Sequence, residues 1–305
     1  MLDAVRLTIC IATYRRPHGL ARLLAALDGL KLDASHPMTI GVIVADNDID
    51  QSARKIVTAR QHVSPWHIVY LHVQQRGIGN VRNAAVREAR AHNAEYVAFI
   101  DDDEVPEADW MRSLFATMLE FNADVVTGPV LPYFEEPVPQ WVIDGKIFER
   151  PRYATGRKLH SARTGNALVR MNIFNTVGYF NEALGLVNGE DTELFLRAVR
   201  CGALIVWDDS SIVHEWIPET KSRLRAILRR AVSVGYGWAR SETDNHRAAR
   251  GAAGAIAKGL LTLPTSLWRG RHVMITSMQL VATGAGYILA KLGVPFEAYR
   301  QTHGK

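Results

Sequence analysis

A regular alternation of buried-strand and helix patterns fills the first half of the chain and leaves few folds open to it. Four continuous apolar runs are each followed by a segment with apolar residues at helical spacing, and the runs cover residues 7–12, 40–45, 68–73 and 96–100. Strands that are apolar along their whole length belong to sheets covered on both faces. The alternation therefore predicts an α/β fold with a doubly wound, mostly parallel sheet.

Beyond residue 130 the pattern loosens. Residues 132–153 are rich in Pro and aromatic residues and predict a long loop or lid. Two strands and a helix that opens at Glu190 follow, and strand patterns end near residue 219. We therefore expect an α/β domain over residues 1–218 and a helical tail over residues 219–305.

Charge separates the same two regions. The chain carries 36 Lys and Arg and 31 Asp and Glu, a net charge of +5. Residues 221–305 hold 14 Lys or Arg and three acids, so this segment has a net charge of +11. Residues 1–220 therefore have a net charge of −6. Apolar segments interrupt the basic residues, and residues 273–290 run for 18 positions without an acid or a base. This combination favours a basic, amphipathic region that lies on or re-enters an anionic membrane surface; a spanning helix, ordinary packing or a homodimer interface are the alternatives.

Composition narrows the class of protein. With 48% hydrophobic and 22% charged residues, the chain is neither disordered, collagenous nor a coiled coil. Two cysteines cannot form a disulfide framework, and they suit a reducing cytoplasm. The apolar run behind Arg6 is too short for the core of a signal peptide. We expect a protein that stays on the cytoplasmic side.

Three adjacent carboxylates, Asp101, Asp102 and Asp103, directly follow the fourth predicted strand. In parallel sheets ligands bind beyond the carboxyl ends of the strands. Adjacent carboxylates repel one another unless a cation is shared, and hard oxygen ligands suit Mg²⁺ or Mn²⁺. The alternative interpretation is a solvated acidic turn that caps the helix near Glu107.

A second acidic pair, Glu190 and Asp191, follows Gly189 at the start of a helix. Carboxylates favour the first turn of a helix, so capping explains the pair by itself. Beside a metal and diphosphate site, the pair would supply the carboxylate that an acid–base step requires.

Several other site classes are excluded or weakened. The pattern G-x-G-x-x-G fails because Arg82 stands at its third glycine, although the amides after Gly77 can still receive phosphate or ribose oxygens. No G-K-[ST] loop is present, which excludes a P-loop NTPase. His214 and Glu215 do not continue into H-E-x-x-H, because Pro218 takes the second His position.

Taken together, residues 5–218 resemble the family 2 inverting glycosyltransferases, which have a GT-A fold. The resemblance rests on an ordered series of motifs: TICIATYRRP (8–17), VADND (44–48), GIGNVRN (77–83), FIDDD (99–103), VGYFNE (177–182), GED (189–191) with Arg197, and IVH (212–214). Asn47 and Ile49 depart from the usual residues after the second strand. The resemblance implies transfer of a sugar from a nucleotide-sugar donor, with a UDP-sugar favoured, and a Mn²⁺ or Mg²⁺ cofactor.

The resemblance also implies residue roles. Thr13, Tyr14 and Asp46 would hold the uracil side of the nucleotide and Asp101 the ribose region. The full set expected to contact the nucleotide sugar is Thr13, Tyr14, Arg16, Asp46, Gly77, Arg82, Asn83, Asp101 and Asp102. Asp103 and His214 would contact the metal, and Asp191 would be the general base with Glu190 beside it. The expected acceptor-side residues are Gly189, Glu190, Arg197 and Trp216.

Within the family, residues 45–48, 139–141 and 214–219 most resemble bacterial exopolysaccharide glycosyltransferases of the succinoglycan type. Those enzymes extend lipid-linked saccharides at the cytoplasmic face of the plasma membrane, so the resemblance implies a lipid-linked acceptor and a peripheral or monotopic location there. Two other classes stay open. A nucleotidyltransferase normally has a Gly-rich loop where residues 12–17 stand, and a non-catalytic membrane or nucleic-acid binder leaves both acidic sites unexplained.

Overall fold

The computed structural model describes residues 4–184, 189–241 and 245–296. The strands are β1 (Val5–Thr13), β2 (Met38–Asp46), β3 (His67–His72), β4 (Tyr96–Asp101), β5 (Glu104–Pro106), β6 (Val125–Thr127), β7 (Val130–Tyr133), β8 (Lys158–Leu159), β9 (Ala167–Arg170), β10 (Ile205–Trp207) and β11 (Val213–Trp216). The helices are α1 (Pro17–Leu27), α2 (Arg54–Gln61), α3 (Ile78–Ala91), α4 (Trp110–Glu120), α5 (Gln140–Asp144), α6 (Ile173–Thr176), α7 (Glu190–Arg200), α8 (Glu219–Ser222), α9 (Leu224–Ser241), α10 (Asn245–Thr262), α11 (Ser266–Arg269) and α12 (Arg271–Lys291).

Eight strands form one sheet in the order β3-β2-β1-β4-β9-β6-β10-β8. The first four in that order are parallel, and β6 and β10 are parallel to each other. Strands β9 and β8 run antiparallel to their neighbours. The predicted mostly parallel α/β sheet is therefore confirmed, and the apolar pattern did not report that two strands beyond β4 run antiparallel.

The four predicted strands of the first half are all present, with ends that differ by one or two residues. Strand β1 begins at Val5, before the apolar run, because Val5 and Arg6 pair with Met38 and Thr39 of β2. A polar or half-exposed residue can extend a strand when its backbone finds a partner. Apolar periodicity alone does not report that extension.

A second sheet of three strands, in the order β5-β11-β7, lies next to the acidic triplet. Strand β11 pairs antiparallel with β5 and parallel with β7. The predicted long loop over residues 132–153 is thus wrong in part, because the stretch contains the end of β7 and helix α5. Val142 of α5 is buried against Ile217 and Ile227, which explains why this Pro-rich segment is ordered.

Apolar side chains cover both faces of the large sheet. One face packs under α1, α2 and α4 around Leu24, Val44 and Trp110. The opposite face packs under α3 and α7 around Val86 and Phe195. This sandwich holds the carboxyl ends of β1, β2 and β4 at one edge, where the polar residues of the candidate site begin.

The tail consists of helices α9, α10 and α12, which pack on one another through glycines. A Cβ on Gly235 would lie 1.8 Å from the Thr283 carbonyl oxygen, and one on Gly286 would lie 2.1 Å from that of Val232. Such close backbone approach requires glycine. Among the described residues, α12 is one helix that is long and apolar enough to cross a membrane, with a mean hydropathy of 1.5.

The tail also packs against the α/β body. Ile227 of α9 and Ile275 of α12 share an apolar cluster with Phe148. The strands end at Trp216 and α8 begins at Glu219, but the division of the chain into two domains at residue 218 stays a prediction. The three acids of residues 221–305, Glu242, Asp244 and Glu297, lie outside the described residues.

Candidate functional site

A cavity of about 350 Å³ lies between the end of β4, the start of α7 and one side of α9. Charged side chains of both signs line it: the carboxylates Asp101, Glu190 and Asp191, and the guanidinium groups Arg82, Arg150, Arg163 and Arg230. The two acidic motifs, which are separated by almost 90 residues of sequence, therefore meet at one cavity.

The first two carboxylates of the triplet are held by arginines of the body. Asp101 Oδ1 accepts a hydrogen bond of 3.0 Å from Arg82. Asp102 accepts bonds of 2.8 Å from both Arg16 and the Thr13 hydroxyl. Burial raises the pKa of both aspartates, and the arginines act against that shift. Thr13 and Arg16 thus hold Asp102, and Arg82 holds Asp101; the contact of these five residues with a nucleotide sugar stays a prediction.

Asp103 has a different partner, which comes from the tail. Lys221 of α8 lies 2.7 Å from Asp103 Oδ2, and Arg16 lies 3.2 Å from the same oxygen. Burial by itself would raise the pKa of Asp103, but Lys221 and Arg16 outweigh it and hold the pKa below the ordinary value. Asp103 is therefore an ionised carboxylate with cations beside it.

The donor set at the triplet fits a divalent cation that is shared with a ligand. Carboxylate oxygens are the atoms that Mg²⁺ and Mn²⁺ prefer, and Mg²⁺ is commonly bound by one or two carboxylates together with substrate phosphates. Over residues 4–184, 189–241 and 245–296, no three Asp, Glu, His or Cys side chains are grouped as a complete protein cage for a metal. Asp103 would supply the protein ligand, and Lys221 marks the position where positive charge is already favourable.

Arg82 links the two acidic motifs. Its guanidinium donates to Glu190 on one side and to Asp101 on the other. Glu190 is 3% exposed, and burial raises its pKa to about 7 while Arg82 opposes the shift. Its second oxygen, Oε2, is buried and accepts no hydrogen bond from a described residue. Glu190 is therefore a largely buried part of the cavity wall that anchors Arg82.

Asp191 is the carboxylate of the pair that is more open to the cavity. It lies in the first turn of α7, where its Oδ1 accepts a bond of 2.6 Å from the Thr192 amide. The turn before it depends on Gly189, which has φ +116°, a value that favours glycine. A Cβ there would also lie 3.1 Å from the Gly237 carbonyl of α9. Gly189 therefore allows the start of α7, which carries Asp191, to lie close to α9 of the tail.

Asp46 occupies a different environment from the one expected. It is fully buried, and its oxygens accept bonds from the amides of Asp48 and Ala53 and from the Tyr70 hydroxyl. These bonds fix the turn between β2 and α2. Contact between Asp46 and a nucleobase stays a prediction. For that contact, Asp46 would have to replace one of these hydrogen bonds with a bond to the base.

Tyr14 and Gly77 lie on the loops that follow β1 and β3. Tyr14 is half-buried, with the Arg15 guanidinium 5.4 Å from its ring centre. Gly77 has φ +118°, and its amide donates to Asn47 Oδ1 at 3.1 Å. The side chain of Asn47, one of the two departures from the family pattern, therefore ties the loop after β2 to the loop after β3.

Asn83 and Arg197 hold the segment at 177–182 rather than line the cavity. The Asn83 amide exchanges hydrogen bonds with the backbone of Phe180 at 2.9 and 3.0 Å. Arg197 donates to the carbonyls of Val177 and Tyr179. Asn83 follows Arg82 by one helical position, which turns it away from Asp101. Both residues position the chain that leads toward Gly189, and neither reaches Asp101 or Asp191 in this structure.

The expectation that His214 lies with Asp103 is not met. His214 Nε2 is 3.0 Å from Glu107 Oε1, on the outer side of the small sheet. Adjacent residues of a strand point to opposite faces, so Glu215 faces inward instead. Glu215 lies 2.5 Å from Arg150 and 3.5 Å from Lys221.

Trp216 also lies apart from the cavity. The centres of the Trp216 and Tyr133 rings are 4.1 Å apart. The guanidinium of Arg22, a residue of α1, lies 4.1 Å from the centre of the Trp216 ring. The side chains that sequence reasoning missed are Arg150, Arg163, Glu215, Lys221 and Arg230. No local motif marks them, because each reaches the site from a segment whose place depends on tertiary packing.

Comparison with known proteins identifies the family of the chain. The family model "Glycosyl transferase family 2" matches residues 8–178, and "Glycosyl transferase family group 2" matches residues 96–289. The Succinoglycan biosynthesis protein ExoM of Rhizobium meliloti (strain 1021) is 31% identical over 235 residues, which are 76% of this chain and 74% of that protein.

Two solved structures share the fold. The mannosyltransferase PcManGT from Pyrobaculum calidifontis, in complex with GDP-Man and Mn²⁺, superposes with a TM-score of 0.66 at 16% identity, covering 95% of this chain and 89% of that one. S. aureus TarS 1-349, in complex with UDP-GlcNAc, superposes with a TM-score of 0.55 at 15% identity, covering 96% and 93%. A longer TarS chain is covered over 44% of its length. The chain belongs to glycosyl transferase family 2.

Proposed function

We propose that this glycosyltransferase moves a sugar from a UDP-sugar to a hydroxyl of a lipid-linked saccharide, with inversion at the anomeric carbon, in the synthesis of an exopolysaccharide or another cell-surface polysaccharide. The observation that carries the proposal is the meeting of Asp101 and Asp191 at one cavity. The relationship to the succinoglycan protein supports the saccharide acceptor, and the TarS complex supports UDP as the carrier.

Asp191 serves as the general base. Its Oδ1 is engaged by the Thr192 amide, which fixes the carboxylate and leaves Oδ2 to accept the acceptor's proton. The deprotonating hydroxyl attacks the anomeric carbon from the face opposite the leaving diphosphate, so a single displacement inverts the centre. The leaving group is already an anion, and the reaction needs no separate protein acid.

Mn²⁺ or Mg²⁺ neutralises charge on the leaving diphosphate when it is bound. Asp103 is the residue that would hold the cation, and Asp102 stays with Arg16 and Thr13. Arg82, which is bonded to both Glu190 and Asp101, keeps Asp101 toward the ribose. Tyr14, Gly77 and the loop of Asp46 complete the proposed nucleotide side.

The tail brings the enzyme to an anionic membrane. Around the turn between α10 and α12, which we call the apolar tip (residues 260–271), several apolar side chains are exposed, including Leu267 at 82% and Trp268 at 83%. Arg269 and Arg271 are exposed beside them. Apolar side chains inserted among headgroups, flanked by cations, are typical of interfacial binding. We place the protein at the cytoplasmic face of the plasma membrane, with no role in nucleic-acid binding.

A thermal-shift panel tests the donor side of this proposal. UDP, GDP and the corresponding nucleotide sugars would each be added with Mn²⁺, with Mg²⁺ or with EDTA. We expect UDP ligands to stabilise the protein only with a divalent cation. The variant Asp103→Ala should lose that stabilisation, whereas Glu120→Ala, at an exposed carboxylate on α4, should keep it. Equal shifts in EDTA would refute the metal assignment, and shifts with GDP alone would refute UDP.

A further inference from the structure

A second, larger cavity of about 540 Å³ adjoins the catalytic one. The two share Arg150, Arg163 and Thr192 in their walls. Thr192 follows Asp191 on α7, so the second cavity begins one residue from the proposed base. A volume of this size is typical of sites that bind small molecules.

Basic residues dominate the second cavity. Arg150, Arg157, Lys158, His160 and Arg163 line it, and no Asp or Glu belongs to its described lining. This contrasts with the catalytic cavity, in which three carboxylates face four guanidinium groups. The second cavity therefore carries positive charge that its own walls do not neutralise.

Several of these cations lack partners. No side-chain hydrogen bond or ion pair joins Lys158 or Arg163 to a residue that the structure describes, and the Arg157 guanidinium lies over the Tyr153 ring, 4.2 Å from its centre. Arg150 is paired with Glu215, but its Nε is buried and without a partner in the described chain. The surrounding protein and the nearby Arg150 lower the pKa of Arg163. Arg157, Lys158 and Arg163 are exposed at this cavity, where their like charges repel one another and a bound anion would offset that repulsion.

We propose that this cavity binds an anionic group, a carboxylate or a phosphate, carried by the acceptor saccharide. The proposal rests on the proposed function and adds the chemical class of the acceptor to it. Guanidinium groups bind carboxylate and phosphate oxygens through paired hydrogen bonds, which would fix the saccharide relative to Asp191.

The sheet order assigns this cavity to the acceptor instead of the donor. Lys158 and Leu159 form β8 at one edge of the large sheet, beside Trp207 of β10. The proposed nucleotide residues lie after β1, β2 and β4, toward the opposite edge. The Tyr153 and Trp207 rings, 5.3 Å apart, add an aromatic wall on which a sugar ring can pack.

Direct binding to the full-length protein tests the proposal in EDTA and without nucleotide. The probes are a disaccharide that contains glucuronic acid, its neutral glucose counterpart, and inorganic pyrophosphate, each measured by isothermal calorimetry at two salt concentrations. We expect at least one anionic probe to bind about tenfold or more tightly than the neutral disaccharide, because a charge-assisted hydrogen bond contributes about 1.5–3 kcal/mol.

Matched variants locate the binding. Arg157→Gln and Lys158→Gln each remove a cation that lines the second cavity alone, and each should weaken the anionic probe about tenfold. Arg112→Gln on α4 and Lys55→Gln on α2 make the same changes at exposed positions outside this cavity and should leave binding unchanged. Preference for the uronic acid identifies a sugar carboxylate, and preference for pyrophosphate identifies a phosphate.

Two results overturn the inference: equal binding of the acidic and neutral disaccharides together with no pyrophosphate binding, or anion binding that Arg157→Gln and Lys158→Gln do not weaken. Neither result affects the shift caused by UDP ligands with Mn²⁺. Loss of that nucleotide shift in the wild-type protein would instead refute the proposed function, so the two failures are distinguishable.

Discussion

Replacing Glu190 with glutamine should make the protein's stability less dependent on pH. Burial raises the pKa of Glu190 from 4.5 to about 7. A carboxyl group with a raised pKa in the folded state stabilises that state fully below its unfolded pKa, and the contribution is lost as the pH rises through the folded value. A shift of this size corresponds to about 3 kcal/mol, since each pKa unit is worth about 1.4 kcal/mol.

The Glu190→Gln variant keeps the shape of the protonated acid but cannot ionise. Its free energy of unfolding, relative to the wild-type protein, should therefore rise by about 3 kcal/mol between about pH 4.5 and about pH 7.5. Urea unfolding followed by circular dichroism measures this difference. Carbon-13 NMR of the Glu190 carboxyl group should show directly an apparent pKa near 7.

The Glu120→Gln variant, which removes an exposed carboxylate from α4, reports the effect of the charge change alone. A Glu190→Gln difference that stays constant across this pH range would refute the reasoning. It would show that Arg82 keeps Glu190 ionised throughout, and that the buried Oε2 atom does not carry a proton at acidic pH.

Three further predictions follow from the site and the tail. Asp191→Asn should keep UDP binding by thermal shift but lower sugar transfer by about 10²-fold or more; near-normal turnover would assign the base elsewhere. Lys221→Met removes the cation 2.7 Å from Asp103 and should tighten Mn²⁺ binding without nucleotide, measured by electron paramagnetic resonance, about tenfold or more; unchanged affinity would show that Lys221 does not compete with the metal. Trp268→Ser should reduce sedimentation with anionic liposomes and make the remaining binding more sensitive to salt. Unchanged sedimentation would show that the apolar tip does not contact the membrane.

The sequence predicts the elements whose local pattern is strong. Strands β1 to β4 are continuous apolar runs, and burial on both faces of the sheet requires that composition. The small sheet was missed because β5 and β11 span three and four residues and include Glu104 and Glu215. These strands form because distant segments pair with one another, and no run of apolar residues predicts them.

The same distinction applies to the site. Asp101, Asp102 and Asp103 are recognisable because they end a buried strand, and Asp191 because it opens an amphipathic helix. His214 was assigned to the metal from the family resemblance. In the structure it pairs with Glu107, and the next residue of β11, Glu215, faces Arg150 and Lys221; the sequence does not reveal which of the two faces is inward. Lys221 was missed because it pairs with a carboxylate 118 positions earlier.

The stereochemistry of transfer tests the central claim most directly. The full-length protein would be incubated with Mn²⁺, a lipid-linked saccharide and the α-linked donors UDP-glucose, UDP-galactose and UDP-GlcNAc in turn, and the new glycosidic bond would be examined by proton NMR. We predict a β-linked product from at least one donor, together with UDP release that EDTA abolishes and Asp191→Asn reduces. An α-linked product would contradict the single displacement, and transfer that persists in EDTA would contradict the metal at Asp103.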